Sequence, residues 1–487
     1  MRLLALFLAL ALPAFAAEKP NIIFILADDL GYGDLGCYGQ RLIKTPHLDR
    51  MAAEGMRFRQ FYAGSTVCAP SRAVLMTGLH TGHVSVRGNA GGKRLEDLDA
   101  FRPQTLRENE MTVAELLQQA GYSTALVGKW GLGELDSEGE PTRKGFDHFF
   151  GYLNQTHAHN YYPAWLVQGT ERVELRNEVP GKGPFGRGMA SKKIDYSHDL
   201  FAQEALDWIE QKKDAPFFLY LAFTTPHANN EANRSLGHGQ EVPDLGIYAA
   251  TDWTPQNKAQ AAMITRMDAD IGRLFALLKK LGLDEKTLVF FSSDNGPHKE
   301  GGNDPDFFKA SGGFRGIKRA LTDGGIRVPF IARWPGRVPA GVASGHVGYF
   351  GDLMATIADL TGTRPPKQHD GISFLPTLLG KPADEQVRHE FLYWEFHEGG
   401  TRQAALYLGR FKGIRQEPGA PLLVYNIFED PGETRDISRH EADVAGILDS
   451  YLARARTDTP DWPIRPATSD KRPTPTIPPT VAGADPE

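Results

Sequence analysis

Apolar and polar residues fall in blocks along this chain. Residues 21–27, Asn-Ile-Ile-Phe-Ile-Leu-Ala, form a continuous apolar run that ends at Asp28-Asp29. Such a run suits a strand buried on both faces of a sheet. Residues 122–127 and 216–223 repeat the pattern and end at Lys129 and at Pro226-His227. Residues 287–291 end at Asp294-Asn295-Gly296, and 327–332 form a further strand candidate. Between these runs the period becomes helical. Thr45-Pro46 opens one helix, with Thr as N-cap and Pro in the first turn, and Gly55 closes it. Thr112-Val113-Ala114-Glu115 is a capping box ahead of Leu116, Leu117 and Ala120. Residues 199–209, 263–281 and 349–360 read as further helices. The alternation predicts an α/β fold, a large and mainly parallel sheet sandwiched by helices. After about Pro376, short strand candidates at 391–396, 404–408, 411–414 and 422–427 precede a helix near 441–453. They predict a small antiparallel-sheet-plus-helix subdomain. From Pro460 onward Pro, Thr and Asp dominate, which predicts a loosely ordered tail.

Composition narrows the class. The 487 residues are 41% hydrophobic and 23% charged, with 54 basic and 60 acidic side chains and a net charge of −6. This excludes a collagen, a coiled coil and a wholly disordered chain, and leaves no basic footprint for nucleic acid. Residues 1–17 read as a secretory signal peptide: Arg2, an apolar run over 3–12, Pro13, then Ala14-Phe15-Ala16 as a small-x-small cleavage site. The run is shorter than the ~20 residues needed to span a bilayer. The mature protein is therefore expected to be exported, periplasmic or secreted, with no membrane span. The expected divisions are 1–17, a catalytic domain over 18–380, a subdomain over 381–459 and the tail 460–487. Export makes the two cysteines, Cys37 and Cys68, ambiguous. A disulfide between them, two buried thiols and a chemically altered cysteine all remain open.

Four predicted strands end in reactive side chains, and ligands of open α/β sheets bind outside the carboxyl ends of the strands. Asp28, Asp29, Asp294 and Asn295 offer oxygen donors, which suit Ca²⁺ or Mg²⁺ rather than zinc. Three carboxylates packed together would repel without a cation. The most specific stretch is Cys68-Ala69-Pro70-Ser71-Arg72, leading to Met76-Thr77-Gly78. Pro70 marks a helix start, where amide N–H groups and the helix dipole favour an anion.

Together with Ile25-Leu26-Ala27-Asp28-Asp29, Gly128-Lys129-Trp130, Thr225-Pro226-His227, Ser293-Asp294-Asn295-Gly296, Arg315-Gly316-Ile317-Lys318 and Gly324-Gly325-Ile326-Arg327-Val328-Pro329, this stretch resembles the type I, formylglycine-dependent sulfatases of the alkaline-phosphatase superfamily. The resemblance covers about residues 20–430. It implies an alkaline-phosphatase-like fold and hydrolysis of a sulfate ester. It also implies that a maturation enzyme converts Cys68 to Cα-formylglycine, leaving Cys37 as a lone buried thiol. A hydrated aldehyde can attack with one hydroxyl and expel sulfate with the other, so the nucleophile carries its own exit route. By matching position, the resemblance assigns Asp28, Asp29, Asp294 and Asn295 to Ca²⁺, with Mg²⁺ the lesser alternative. It gives Arg72 the hydrate, Lys129 and Lys318 the sulfate charge, and His227 the proton for the leaving alcohol. The chain departs from the family at Gly131, where a histidine contacting the hydrate commonly stands; His83, His157 and His159 are candidate replacements. Asp323 stands where many relatives have Glu.

Residues 151–165, GYLNQTHAHNYYPAW, and Ala228-Asn229-Asn230-Glu231-Ala232-Asn233 are rich in groups that bond hydroxyls and stack on sugar faces. The candidate substrate-binding residues are His83, Arg87, Asn89, His157, His159 and Asn160. The expected substrate is a sulfated saccharide, desulfated in exo fashion on a galactose- or N-acetylhexosamine-containing glycan. Two alternatives stand beside this reading. One is a phosphatase or phosphonate monoesterase of the same superfamily, which Cys-x-Pro-Ser-Arg argues against. The other is a catalytically impaired sulfated-glycan-binding protein, which Gly131 keeps in view.

Overall fold

The computed structural model describes residues 19–89, 104–181 and 186–466. The signal-peptide expectation for 1–17 and the tail beyond 466 lie outside the described residues. Ten strands build the central sheet: β1 (Asn21–Ala27), β2 (Met56–Tyr62), β3 (Ser123–Lys129), β4 (His148–Tyr152), β5 (Trp165–Gln168), β6 (Glu171–Glu174), β7 (Phe217–Ala222), β8 (Thr287–Ser293), β9 (Phe330–Arg333) and β10 (Val342–Tyr349). Their order is β10-β2-β9-β8-β1-β7-β3-β4-β5-β6. The central run β8-β1-β7-β3-β4 is parallel throughout. Its strands all point their carboxyl ends to one edge, and that edge carries the chemistry.

Strand β1 shows why the run is so apolar. Ile22, Phe24 and Leu26 pack on one layer with Val74, Leu116, Leu117 and Ile357. Ile23 and Ile25 pack on the opposite layer with Leu48, Trp208, Ile264 and Leu274. Alternate side chains thus enter two different cores, and each fully buried Ile or Phe contributes about 1.5–3 kcal/mol. The helices Cys68–Thr77, Val113–Gln119 and Asp352–Thr361 supply the first layer; Pro46–Glu54, Ser197–Lys212 and Pro255–Lys280 supply the second.

The flanks differ from the sequence expectation. The strand expected at 327–332 begins at Phe330 and runs antiparallel to both β8 and β2. Strands β5 and β6 form an antiparallel ribbon on β4, and β10 pairs with β2 in parallel. The helix expected from Tyr349 starts at Asp352, because Tyr349 still pairs with Tyr62.

A second sheet, β11 (Phe391–Phe396), β12 (Arg402–Tyr407), β13 (Phe411–Arg415) and β14 (Leu423–Asn426), is antiparallel in chain order. The helix Ala442–Arg454 covers it through Leu448 and Leu452, which meet Tyr393, Ala405 and Val424. Its other face joins the first layer, where Trp394 donates its indole N–H to the Ala63 carbonyl at 2.9 Å. No helix among the described residues is long and apolar enough to cross a membrane.

Candidate active site

Because β8, β1, β7 and β3 are neighbours and parallel, Asp294-Asn295, Asp28-Asp29, His227 and Lys129 leave the sheet side by side. The helix Cys68–Thr77 brings its first residue to the same edge and is buried along its whole length. Near its N-terminus the Ala69 amide donates to Asn89 Oδ1 at 2.9 Å. Asp29 adopts a left-handed backbone, φ 67°, and its amide donates to Asp294 Oδ1 at 3.1 Å. That conformation is uncommon outside glycine, though Asp tolerates it better than most.

The side chains interlock. Cys68 Sγ lies 3.2 Å from Asp28 Oδ1 and 4.0 Å from Asp29 Oδ1. Lys129 Nζ reaches Asp28 at 2.7 Å. Arg72 grips Asp294 through Nε at 3.0 Å and Nη2 at 2.8 Å, and donates Nη1 to the Lys129 carbonyl. Lys318 Nζ sits 2.8 Å from Asp29 Oδ2 and 3.1 Å from His227 Nε2. His227 Nδ1 donates to the Ala228 carbonyl at 2.7 Å, which turns Nε2 toward the pocket. All of these groups are buried.

Burial and charge set their states. Burial alone would raise the Asp28 carboxyl, but Lys129, His227 and Arg72 hold it well below its usual range. Asp294 goes the other way: burial and the nearby Asp28 push it up to about 7, despite Arg72. Asn295 donates its amide to Asp29 at 2.7 Å, while its Oδ1 is buried without a partner. An overcrowded carboxylate and an orphaned amide oxygen are what a hard-cation site looks like before the ion is added. The donor set therefore fits Ca²⁺ or Mg²⁺. Cys68 does not fit the part of a thiolate nucleophile, because burial, Asp28 and Asp294 push its thiol well above the usual value. Burial, then Lys318, lowers His227 to about 3.

Both cysteines are unpaired, so the disulfide alternative does not occur, and Cys37 is partly rather than fully buried. The candidate substrate-binding residues scatter. His159 stacks on His227, ring centroids 4.9 Å apart and planes 10° from parallel, with Nδ1 3.2 Å from Glu231. Asn160 is buried and accepts from the Tyr162 amide, and its Nδ2 has no partner. His157 is enclosed against Trp165 and Tyr152 with both ring nitrogens unpartnered. Two of the candidates are engaged by other side chains. His83 is held by Asp370 at 2.9 Å and follows the C-terminal end of the helix whose N-terminus carries Cys68. The Arg87 guanidinium is spent on Glu395, the Val84 carbonyl and the Thr457 carbonyl. Of the histidines considered in place of the missing one, only His159 borders the pocket, beside His227. Gly131 itself has φ 78°, and a Cβ there would lie 1.9 Å from Gln155 Nε2, so Gln155 fills that space. Asp323 pairs with Lys412 at 2.7 Å and Arg327 at 3.1 Å and serves the packing.

Sequence reasoning missed Glu300. Its Oε2 lies 3.4 Å from Lys318 Nζ and 3.5 Å from His227 Nε2. Only its place in the loop after β8, six residues beyond Asp294, could have flagged it.

Three cationic side chains and three carboxylates gathered at a buried helix N-terminus suit the binding of a tetrahedral anion. Residues 20–363 match the family described as Sulfatase, and residues 314–456 match the region described as N-sulphoglucosamine sulphohydrolase, C-terminal. The chain is 34% identical over 423 residues to N-acetylgalactosamine-6-sulfatase of the dog, Canis lupus familiaris, covering 82% of this chain and 72% of that protein. It is 31% identical over 485 residues to human arylsulfatase A, covering 89% and 86%. The crystal structure of Ps i-CgsB in complex with k-i-k-neocarrahexaose aligns with a TM-score of 0.75 at 26% identity, covering 93% of this chain and 96% of that one. The chain belongs to the sulfatase family, enzymes of the alkaline-phosphatase superfamily that hydrolyse sulfate esters.

Proposed function

We propose that this protein removes a sulfate ester from a saccharide, using formylglycine made from Cys68 and a Ca²⁺ held by Asp28, Asp29, Asp294 and Asn295. The carrying observation is the convergence of Asp28, Arg72, Lys129 and Lys318 on Cys68. The modified residue supplies an oxygen nucleophile in place of the inert thiol, and the ion supplies positive charge to the sulfate. The chain's own residues do the rest. Lys129 and Lys318 place ammonium groups in a water-poor pocket, where charge stabilisation is worth far more than in bulk water. Arg72 is locked by Asp294 and by the Lys129 carbonyl, so its guanidinium is preorganised beside residue 68. His227 keeps a proton on Nδ1 and accepts from the Lys318 ammonium at Nε2, so the pair would pass a proton from Lys318 through Nε2 to the leaving oxygen. Cys68 is 1% exposed, so its conversion by a maturation enzyme belongs to a stage before folding is complete. The leader-like residues 1–17 support export, and residues 18–380 would carry the chemistry with 381–459 bracing it.

Two observations support a sugar substrate. The relatives include an N-acetylgalactosamine-6-sulfatase, and a structural neighbour was solved with k-i-k-neocarrahexaose. His159, Glu231 and Asn230 beside His227 offer the hydroxyl-binding groups a sugar needs. The test is sulfate release from a panel of sulfated galactose and N-acetylhexosamine saccharides, with matched phosphate esters and an aryl sulfate as comparators. Faster turnover of a sugar sulfate than of its phosphate counterpart supports the reading. Aryl sulfate turnover with none across the sugar panel overturns the substrate class, and preference for phosphate overturns the reaction.

A further inference from the structure

Glu300 lies outside the residues that match the family motifs, yet its carboxylate touches two groups of the pocket at once. Oε2 is 3.4 Å from Lys318 Nζ and 3.5 Å from His227 Nε2, and Asn230 Nδ2 approaches it at 3.4 Å. Oε1 accepts from Arg319 Nη1 at 2.6 Å, and Arg319 is anchored in turn by Glu398 at 2.8 Å. The backbone is pinned as well. Gly301 follows with φ 76°, its carbonyl accepts from the Gly239 amide, and a Cβ on it would meet Gln240 Oε1 at 1.9 Å. The Lys318 amide donates to the Pro297 carbonyl at 2.9 Å, tying both segments together.

Lys318 and His227 thus stand between two carboxylates. Asp29 is the inner one, fully buried and shared with the cation-binding set. Glu300 is the outer one, with 18% of its side chain exposed. On the proposed function, sulfate would lie at the inner end beside residue 68, and the more exposed outer end would face the leaving group. We propose that Glu300 is a positioning residue for departure of the leaving group, its carboxylate holding the Lys318 ammonium and the His227 ring against the substrate's bridging oxygen. In that step the sulfur–oxygen bond breaks and its electron pair stays on the bridging oxygen. The proton that ends on the same oxygen comes from the Lys318 ammonium, relayed through His227 Nε2, which accepts from Lys318 at 3.1 Å. Lys318, His227 and Arg319 hold the Glu300 carboxyl well below its usual range in spite of burial, so it is an anion at neutral pH.

This inference rests on the sulfatase reading above, and leaving-group chemistry separates the two. The experiment compares matured wild type with Glu300→Gln on phenyl sulfates running from 4-nitro to 4-methyl, and on a hexosamine 6-sulfate. A nitrophenolate leaves without help, whereas an alcohol needs a proton. Glu300→Gln is expected to cut kcat on the sugar sulfate about 100-fold, with 4-nitrophenyl sulfate changed less than about threefold and KM moved little. Across the phenyl series the loss grows as the phenol becomes less acidic. Glu300→Asp keeps the charge, draws it back by one methylene and gives intermediate losses; it carries the test if the Gln variant melts early. Equal losses on every ester, or none, overturn the role of Glu300. Failure of wild type on all sugar sulfates overturns the substrate assignment instead, and the phenyl series still decides on Glu300.

Discussion

The protein buries carboxylates in two very different ways. At the strand ends, Asp28, Asp29 and Asp294 crowd together, Asp294 is pushed up to about 7, and Asn295 Oδ1 has no partner. Near the junction of the two sheets, Glu395 is buried just as deeply but is saturated. Arg87 reaches it at 3.0 Å, Arg456 at 2.9 Å, His397 at 2.9 Å and the Tyr393 hydroxyl at 2.8 Å. His397 and the two arginines hold its carboxyl at about 2 in spite of burial. A carboxyl pushed upward beside an unpartnered amide oxygen sets the first cluster apart; a carboxylate whose oxygens are all engaged by cationic and hydroxyl partners marks a brace. Burial alone distinguishes neither.

The largest expected effect lies on the catalytic side. Cys68→Ala should lower turnover by roughly 10⁴-fold or more while leaving the melting temperature nearly unchanged. A large loss of stability would mean that the pocket braces the fold too. On the other side, Glu395→Gln should cost about 3–5 kcal/mol in chemical denaturation, because Arg87 and Arg456 are left buried without a counter-charge. Turnover by the folded fraction should change less than about twofold, the usual scale for a change outside a site.

Calcium sharpens the contrast. Chelation should lower stability and Ca²⁺ should restore about 2–3 kcal/mol at a hundredfold excess over its dissociation constant, whereas Glu395→Gln leaves that increment intact. The pH dependence of the two clusters should have opposite signs. In the cation-free protein Asp294 keeps its proton up to about 7 while the unfolded chain gives it up near 3.8, so this group's contribution falls as pH rises through that window. Glu395 is ionised when folded down to about 2, against 4.5 unfolded, so its contribution is lost as pH falls from 4.5 toward 2. Melting curves across pH, with and without Ca²⁺, check both signs. The smallest effect is expected at His83, half out in solvent on Asp370. His83→Ala should change turnover less than about twofold; a larger loss would return it to the pocket.

Much of the architecture was legible because buried parallel strands have to be apolar on both faces. The runs ending at Asp28, Lys129, His227 and Asp294 read as strands, and their shared edge followed from sheet geometry. Strands β2, β4, β5, β6 and β10 were not legible. β2 interrupts its buried apolar positions with Arg57 and Arg59, while β5 and β6 are four residues each with exposed positions. Short or charge-bearing strands depend on their neighbours more than on their own composition. The site divides along the same line. Asp28, Cys68 and Lys318 sit in motifs, whereas Glu300 follows an unremarkable His-Lys pair in a glycine-rich loop. His83 and Arg87 looked functional by type, and only tertiary contacts reveal that Asp370 and Glu395 already hold them.

Residue 68 offers the most direct test. The measurement is the mass of the peptide spanning it, taken from active protein made in a host able to mature sulfatases. An aldehyde in place of CH₂SH, trapped by a hydrazide in proportion to specific activity, is the expected result. Full activity from protein whose Cys68 is wholly an unmodified thiol would contradict it.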